Sequence, residues 1–407
     1  MVNVIGLGYI GLPTALMLAS HGVEVVGTDY NKELVESLNA GVPTFKEDGL
    51  DELFKKAVDA GIKFTNNYQH TDIYIVAVPT PYNKFSKKVD ACYVKAAVND
   101  VLDVCNAGAT IIVESTVSPG TIDKEVRPLI AERGFITGKD VHLVHAPERI
   151  LPGNMIYELI NNDRTIGADE PEVAVRVRDI YASFCKGEIV LTDIRTAEMT
   201  KVVENTFRAV NIAFANELSR ICRHDNMDVY EIIRICNKHP RVNIMNPGPG
   251  VGGHCISVDP WFLVGDYPQL TKVIGESMKV NDSQPDFVLE RLQVIMQENN
   301  IKDASRVGLY GITYKENVDD YRDSPTLQLL ESQARHLAAP LKCYDPFLEN
   351  MKLTESQYSD FDAFINDVDI VVVMVKHDHI CHNWDRLKDK IVLDCHNICP
   401  LPNTYRL

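Results

Sequence analysis

Several features that mark particular classes of protein are missing from this chain of 407 residues. No apolar run approaches the ~18–20 residues that a membrane-spanning helix needs, and no low-complexity tract or charge run interrupts the sequence. The first residues lead straight into a glycine motif rather than a signal peptide. The formal net charge of -16 lacks the basic excess typical of nucleic-acid binding. We therefore expect a globular protein with neither a membrane nor a nucleic-acid partner.

Cysteines are present, but they do not form a pattern that indicates disulfides or a metal site. The ten cysteines are scattered and include no CxxC pair, which favours reduced thiols and a cytoplasmic location. Histidines and cysteines near the C-terminus raise the possibility of zinc, but they lack recognisable ligand spacing. They are His377, His379, Cys381, His382, Cys395, His396 and Cys399. We predict a polar loop there, and no metal.

Short apolar runs that end in glycine, proline or an acidic residue alternate with helical stretches in both halves of the chain. The strands predicted in the first half are Val2–Gly6, Val23–Thr28, Ile73–Val78 and Thr110–Val113. Those predicted in the second half are Val307–Gly311, Leu341–Tyr344, Asp369–Val375 and Ile391–Leu393. Such alternation predicts parallel βαβ units. The halves faintly repeat each other, because Asp345 ends its second strand as Asp29 does.

A different pattern lies between the two halves. From about Thr196 to His224, apolar residues recur at spacings of three and four, which predicts one long helix with an apolar stripe. The stripe consists of Val203, Phe207, Val210, Phe214, Leu218 and Ile221. The stripe packs either in the chain's own core or against a partner subunit.

The predicted fold is α/β, with two Rossmann-like doubly wound domains joined by a central long-helix segment. We place a dinucleotide-binding domain at residues 1–192 and a central helical domain with subunit contacts at 193–298. A second Rossmann-like domain follows at 299–407.

The N-terminal motif Gly6-Leu7-Gly8-Tyr9-Ile10-Gly11 indicates a dinucleotide site. The first glycine permits the tight turn, the second lets a pyrophosphate approach the backbone, and the third allows helix–strand contact. Asp29 ends the next strand 18 residues beyond Gly11. A carboxylate there accepts hydrogen bonds from ribose hydroxyls and repels a 2′-phosphate, which favours NAD over NADP. Including the ends of later strands, the predicted cofactor residues are Gly8, Tyr9, Ile10, Gly11, Asp29, Pro79, Thr80 and Thr116.

A cysteine in a glycine-rich turn is the leading candidate for a nucleophile. Cys255 ends the run Gly250-Val251-Gly252-Gly253-His254-Cys255, and Asp259 follows shortly after. The backbone N–H groups of such a turn favour the thiolate, which attacks carbonyl groups. The alternative is a buried, inert cysteine, since free cysteine behaves as a small hydrophobic residue.

Polar residues elsewhere provide further candidates. Lys201 and Asn205 lie one turn apart on the long helix, where they either form a solvated face or stabilise an oxyanion. Glu148 and Arg149 follow a predicted strand and Pro147. The glutamate could act as a general base, and the alternative is a salt-bridged loop pair.

Taken together, these motifs resemble the UDP-sugar 6-dehydrogenase family over essentially the whole chain, and within it the branch that acts on UDP-N-acetyl-D-mannosamine. The matching segments are residues 6–15, 77–81, 147–153, 162–167, 196–205, 210–219, 239–243 and 247–255. The resemblance implies a four-electron oxidation of a sugar C6 alcohol by two NAD+, in the synthesis of a surface polysaccharide.

The resemblance also implies roles for individual residues. Cys255 would capture the C6 aldehyde as a thiohemiacetal and later carry a thioester. Lys201 and Asn205 would hold the C6 oxygen, and Asp259 would orient water or a proton relay. Glu148 and Thr116 would serve in acid–base chemistry and water positioning near C6.

Further residues are implied at the nucleotide and at the subunit contact. Arg241 would reach the substrate of a neighbouring subunit, so a homodimer or higher oligomer is expected. Arg322 would lie near the cofactor. The implied substrate-binding set is Glu148, Arg149, Lys201, Asn205, Arg208, Arg241, Gly252, Tyr314 and Lys315.

Two positions depart from the pattern of many relatives. UDP-glucose dehydrogenases carry an acidic residue where this chain has Pro152, which favours an N-acetylated hexosamine. Cys395 follows Asp394 where many relatives have a basic residue. UDP-N-acetylglucosamine, and after it UDP-glucose, stay open as alternative substrates, because no motif reads the configuration at C2.

Overall fold

A computed structural model describes residues 1–337 and 339–407 of the chain. The chain divides into two compact units, Met1–Glu204 and Asn205–Leu407. Each contains its own sheet flanked by helices, and one long helix runs from the first unit into the second. The predicted α/β fold, with two parallel-sheet domains joined by a long helix, is confirmed.

The first unit contains an eight-stranded sheet in the order β3-β2-β1-β4-β5-β6-β7-β8. All neighbouring strands are parallel except β6 and β7. The strands are β1 (Val2–Ile5), β2 (Val25–Thr28), β3 (Lys63–Thr65), β4 (Ile73–Val76), β5 (Ala109–Val113), β6 (Val141–His145), β7 (Arg164–Ala168) and β8 (Ile189–Thr192). The order reverses between β1 and β4, and ligands of such sheets bind at the carboxyl ends of the strands beside this reversal.

Helices cover both faces of the first sheet. They are α1 (Gly11–Ser20), α2 (Lys32–Asn39), α3 (Leu50–Asp59), α4 (Cys92–Val104), α5 (Arg127–Glu132), α6 (Met155–Asn161) and α7 (Pro171–Tyr181), with a wide helical turn at Ile122–Val126 before α5. Side chains on the two faces of this sheet pack into two separate hydrophobic cores. Val4 and Ile75 pack in one, and Ile5 and Val76 pack in the other.

The long helix α8 (Ile194–His224) begins two residues before the predicted start. Asp193 explains this start, because its carboxylate accepts from the backbone N–H of Thr196 at 2.9 Å and from its hydroxyl at 2.6 Å. Such a side chain satisfies N–H groups that the first helical turn leaves without partners. The same hydrogen bonds lower the pKa of Asp193.

The second unit contains a six-stranded parallel sheet in the order β11-β10-β9-β12-β13-β14. Its strands are β9 (Val307–Tyr310), β10 (Lys342–Tyr344), β11 (Gln357–Tyr358), β12 (Ile370–Val373), β13 (Ile391–Asp394) and β14 (Thr404–Arg406). Its helices are α9 (Val229–Cys236), α10 (Asp259–Asp266), α11 (Lys272–Asp282), α12 (Gln284–Glu298), α13 (Pro325–His336), α14 (Phe361–Asn366) and α15 (Asp378–Cys381). Short tight turns lie at Ala304–Arg306 and Trp384–Leu387.

The two sheets share one construction at the point where the strand order reverses. Gly6 follows β1 with φ +86°, and a Cβ there would lie 2.6 Å from the carbonyl oxygen of Ala77 after β4. Gly311 follows β9 with φ +92°, and its Cβ would lie 2.5 Å from the Cβ of Val375 after β12. These glycines leave the extended conformation, so the strands end one residue earlier than predicted.

Candidate functional site

In the N-terminal glycine turn, there is open space beside Gly8, whereas Gly6 and Gly11 have no room for a side chain. A Cβ on Gly11 would lie only 1.8 Å from the carbonyl oxygen of Gly6, so strand and helix meet too closely for any side chain. A Cβ on Gly8 would meet no heavy atom within 4 Å. The backbone at Gly8 is therefore accessible at the start of α1, where N–H groups favour a phosphate. These features fit a bound dinucleotide.

Asp29 lies at the end of β2, beside this turn. One carboxylate oxygen, Oδ2, accepts from the backbone N–H of Leu7 at 2.8 Å, and Oδ1 accepts from Asn31 at 2.9 Å. Two carboxylate oxygens offer about four acceptor positions, so the aspartate can hold the turn and still accept from ribose hydroxyls. Pro79 and Thr80 follow β4, and Thr116 follows β5, at the same edge of the sheet.

Lys201 and Glu148 lie together in the first unit. The ammonium Nζ of Lys201 is 3.9 Å from Oε1 of Glu148, and both side chains are buried. The other carboxylate oxygen of Glu148, Oε2, accepts from the backbone N–H of Ile150 at 2.5 Å. A cation and a carboxylate held this way in a buried setting are suited to proton transfer and to stabilising a developing negative charge.

Arg149 is held within the first unit by three partners. Its Nε donates to Glu204 at 3.0 Å, one terminal nitrogen donates to the carbonyl of Asp163 at 2.9 Å, and the other donates to the hydroxyl of Thr165 at 3.1 Å. Its neighbour Glu148 contacts Lys201 instead. Glu148 and Arg149 therefore form ion pairs with different partners, and Arg149 is fixed by its ion pair with Glu204.

In the second unit, Asn205 and Asp259 form the central polar contact. Nδ2 of Asn205 donates to Oδ2 of Asp259 at 2.6 Å, and both side chains are buried. Asp259 begins α10, and its backbone N–H donates to the carbonyl oxygen of Cys255 at 2.8 Å. The cysteine, the aspartate and the asparagine are thus linked through this turn.

The glycines before Cys255 pack against the loop between β9 and α13. A Cβ on Gly252 would lie 2.7 Å from the carbonyl oxygen of Asp323, and one on Gly253 would lie 2.7 Å from Cε2 of Tyr314. The N–H of Gly253 donates to the carbonyl of Arg322 at 2.9 Å. Only glycine fits this contact, because Gly253 also has φ +80°.

The remaining predicted residues of the second unit are Arg322, Tyr314, Lys315, Arg241 and Arg208. The guanidinium of Arg322 forms a paired interaction with Asp320, at 2.9 Å from Nε to Oδ1 and 2.6 Å from a terminal nitrogen to Oδ2. Tyr314 and Lys315 follow β9 at the same loop. Arg241 is exposed, and Arg208 is half-buried on α8.

The predicted residues thus form two groups, one in each compact unit. The group in Met1–Glu204 contains Gly8, Tyr9, Ile10, Gly11, Asp29, Pro79, Thr80, Thr116, Glu148, Arg149 and Lys201. The group in Asn205–Leu407 contains Asn205, Arg208, Arg241, Gly252, Cys255, Asp259, Tyr314, Lys315 and Arg322. Helix α8 carries members of both groups.

Three buried polar groups lie outside the predicted set of site residues. Glu198 on α8 accepts two backbone hydrogen bonds, and burial raises its pKa to about 7. His145 ends β6 fully buried, and that burial lowers its pKa to about 4. Glu114 follows β5 and lies 3.2 Å from Arg164 in a buried ion pair. The sequence signal that could have indicated these groups is a charged residue at an apolar position of a strand or helix.

Cysteines and histidines outside these groups do not indicate a metal centre. None of the ten cysteines, all of which the structure describes, forms a disulfide. Among residues 1–337 and 339–407, no three His, Cys, Asp or Glu side chains are grouped as metal ligands. His377 instead lies 3.3 Å from Asp345 and accepts from the backbone N–H of Asn317 at 2.9 Å. No helix in the same residues is long and apolar enough to span a bilayer.

Fold and site together define an NAD-dependent dehydrogenase, with the dinucleotide fingerprint directly after β1 and the cysteine turn packed against the loop that follows β9. Three successive segments match the domains of one family. Residues 1–185 match its NAD binding domain, 195–283 its central domain and 308–400 its UDP binding domain. The chain belongs to the UDP-glucose/GDP-mannose dehydrogenase family, and NAD is its cofactor.

Individual relatives match along nearly the whole length. The UDP-N-acetyl-D-mannosamine dehydrogenase of Methanocaldococcus jannaschii is 40% identical over 98% of this chain and 92% of that protein. The NDP-N-acetyl-D-galactosaminuronic acid dehydrogenase of Ralstonia nicotianae is 37% identical over 97% of this chain and 95% of that protein. The solved structure of the UDP-D-ManNAc dehydrogenase of Pyrococcus horikoshii has a TM-score of 0.91 and 34% identity, covering 100% of this chain and 98% of that one.

Proposed function

We propose that the chain oxidises C6 of UDP-N-acetyl-D-mannosamine to the uronic acid, in the cytoplasm, for a surface polysaccharide. The main support for this proposal is the turn that joins Cys255 to Asp259, with Asn205 hydrogen-bonded to the aspartate. Relatives with this substrate in their names, at 40% identity over most of the chain, support the choice of sugar. The three-domain division at 1–192, 193–298 and 299–407 is part of the proposal.

The proposed chemistry removes four electrons in two hydride transfers, each to one bound NAD+. In the first oxidation, a base near C6 takes the hydroxyl proton, and the alcohol becomes an aldehyde. The Cys255 thiolate then adds to the aldehyde carbon, and the carbonyl oxygen becomes the oxyanion of a thiohemiacetal. Loss of the second hydride from C6 gives a thioester. Water attacks the thioester, the C–S bond breaks, and the carboxylate leaves as the thiolate is restored.

Each polar group of the site has a proposed role in these reaction steps. Lys201 and Asn205 stabilise the oxyanion at C6 as preorganised donors. Glu148, at 3.9 Å from Lys201, exchanges protons at the same site. Asp259 orients the attacking water, and Thr116 positions water at the cofactor edge. Because the aldehyde stays covalently bound between oxidations, it is not released.

The loop that contains Pro152 supports an N-acetylated hexosamine over UDP-glucose. Glu47 accepts from the backbone N–H groups of Gly153 and Met155, each at 2.7 Å, and Glu158 accepts from Leu151 at 2.7 Å. Two glutamate side chains therefore hold the backbone of this loop, and it carries a proline in place of the acidic residue of UDP-glucose dehydrogenases. UDP-N-acetylglucosamine is the second candidate substrate.

The decisive experiment measures kcat/KM for UDP-N-acetylmannosamine, UDP-N-acetylglucosamine and UDP-glucose, and follows NADH to completion. We expect the highest value for UDP-N-acetylmannosamine and two NADH per sugar. Cys255→Ser should stop acid formation while NAD still binds. One NADH per sugar, or acid formation by Cys255→Ser, would contradict the proposed pathway.

A homodimer formed along α8 is the proposed assembly. Val203, Phe207, Phe214 and Ile221 stay 46%, 65%, 49% and 51% exposed, so the chain itself does not bury this part of the stripe. Three of them are spaced by seven residues, which places them along one side of the helix. A second copy would cover them and bring Arg241 to the neighbouring substrate. Phe214→Glu should give monomers in light scattering, whereas Leu270→Glu, at another exposed apolar residue, should not.

A further inference from the structure

Glu198 is a buried carboxyl group on α8 that is bound by a single loop. The backbone N–H of Gly120 donates to Oε2 at 2.5 Å, and the N–H of Ile122 donates to Oε1 at 2.9 Å. Only 1% of the glutamate is exposed. The loop runs from Thr116, which follows β5, to the helical turn that begins at Ile122. Glu198 therefore attaches this loop to the helix that carries Lys201.

The loop is built so that its N–H groups point towards an external acceptor. Gly120 has φ +85°, and Thr121 donates to the carbonyl oxygen of Ser118 through both its N–H, at 3.0 Å, and its hydroxyl, at 2.6 Å. The N–H groups at the start of a helical segment have no acceptor within the helix. A carboxylate from α8 fills that need, and its negative charge suits the positive end of the helical dipole.

Charged groups from the neighbouring elements face Glu198, and they have opposite effects on its pKa. Burial is the largest cause that raises its pKa, and Asp123 on the helical turn also raises it, whereas the two backbone hydrogen bonds and Arg195 on α8 lower it. The net result is a pKa of about 7. Lys124 also approaches, since its Nζ would lie 3.7 Å from a Cβ on Gly120. A carboxylate accepts both hydrogen bonds well. The protonated acid has one good acceptor oxygen, so one N–H loses its partner.

We propose that Glu198 is a positioning residue for the hydride-transfer site, which holds the loop 116–121 in a fixed relation to Lys201. Lys201 lies three residues beyond Glu198 on α8, so one helical turn separates the group that holds the loop from the group that contacts Glu148. This inference rests on the proposed roles of Lys201 and Thr116. A misplacement of about 1 Å by a substitution away from the reacting groups can cost about 100-fold in rate.

The test compares Glu198→Gln with a matched control, Glu172→Gln, which changes an exposed glutamate of α7 in the same unit. We expect Glu198→Gln to lower kcat about 10–100-fold with KM for the sugar changed less than about threefold. We also expect the fall in kcat below about pH 7 to disappear. Hydrogen exchange of the peptide 116–126 should become faster in Glu198→Gln and stay unchanged in the control.

Glu198→Asp provides a second variant that keeps the charge but is one methylene shorter. It should lose kcat, because it cannot reach both N–H groups, and it should keep an acidic limb in its pH profile. If the wild-type enzyme is active and Glu198→Gln has the same kcat, pH profile and hydrogen exchange as the wild type, this inference is overturned. The proposed function would still stand in that case. A wild-type enzyme that oxidises no UDP-sugar would refute both.

Discussion

Asn205 and Asp259 are joined by a hydrogen bond of 2.6 Å between the amide nitrogen Nδ2 and the carboxylate oxygen Oδ2, across 54 residues of chain. One lies on the long helix and the other begins α10, directly after the turn that holds Cys255. Because the amide donates to the aspartate, its orientation is set before any substrate arrives. Its carbonyl oxygen and second N–H then face defined directions, as preorganised catalysis requires.

Asp259→Asn should slow the hydrolysis of the thioester more than the two oxidations. The substitution keeps the shape but removes the charge that orients Asn205 and the attacking water. We expect kcat to fall about 100-fold, with a rapid first release of about two NADH per active site that precedes the slow steady state. Stopped-flow absorbance measures this burst. Asp225→Asn, at an exposed residue just after α8, is the control, and the loss of the burst in Asp259→Asn would contradict the assignment.

Lys201→Ala should lower kcat much more than it weakens NAD binding. The ammonium acts on the charge that develops at C6, so its loss affects the transition state. We expect kcat to fall by about 100-fold or more, with the Kd for NAD changed less than about threefold, as measured by calorimetry. Lys186→Ala removes an exposed lysine of the same unit and should change neither quantity. An unchanged kcat in Lys201→Ala would rule out this role.

Gly253→Ala should disrupt the cysteine turn. The added methyl group would lie 2.7 Å from the ring of Tyr314, at a residue with φ +80°. We expect the free energy of unfolding to fall by about 2–4 kcal/mol, from backbone strain and overpacking together. Gly134→Ala has a similar φ of +81° but no heavy atom within 4 Å, so it should cost only about 1 kcal/mol. Urea unfolding measures both, and equal losses would show that the contact with Tyr314 is unimportant.

His145 should make the protein less stable in acid. Its burial at the end of β6 lowers its pKa from the ordinary 6.5 to about 4. The folded state therefore favours the neutral ring, so this contribution is fully present above pH 6.5 and is lost as the pH falls towards 4. The loss amounts to about 3 kcal/mol. His145→Leu should show a smaller fall in unfolding free energy over that range than His224→Leu, at an exposed histidine. Equal slopes would contradict the assignment.

Much of the fold could be predicted because its signals are local. Gly6 and Asp29 mark the ends of β1 and β2, and the spacing of Phe207, Phe214 and Ile221 marks α8. Such features depend on residues that are close in the sequence, where turn geometry and periodicity operate. The strand boundaries were less accurate, since Gly6 and Gly311 adopt positive φ and end their strands earlier.

The partners of polar side chains could not be predicted in the same way. Arg149 and Glu148 are neighbours in the chain, yet one is held by Glu204 and the other contacts Lys201. Only the packing of the elements decides which of several nearby charges a buried group meets.

By itself, the sequence determined the two Rossmann-like repeats, the NAD fingerprint and the placement of a cysteine in a turn that only glycines can form. The tertiary structure decided that Glu198 holds a loop 78 residues away and that Asn205 meets Asp259. The physical reason is that a buried polar group must find partners among whatever groups the folded chain brings to it. Those groups come from elements far apart in the sequence, so no local pattern records them.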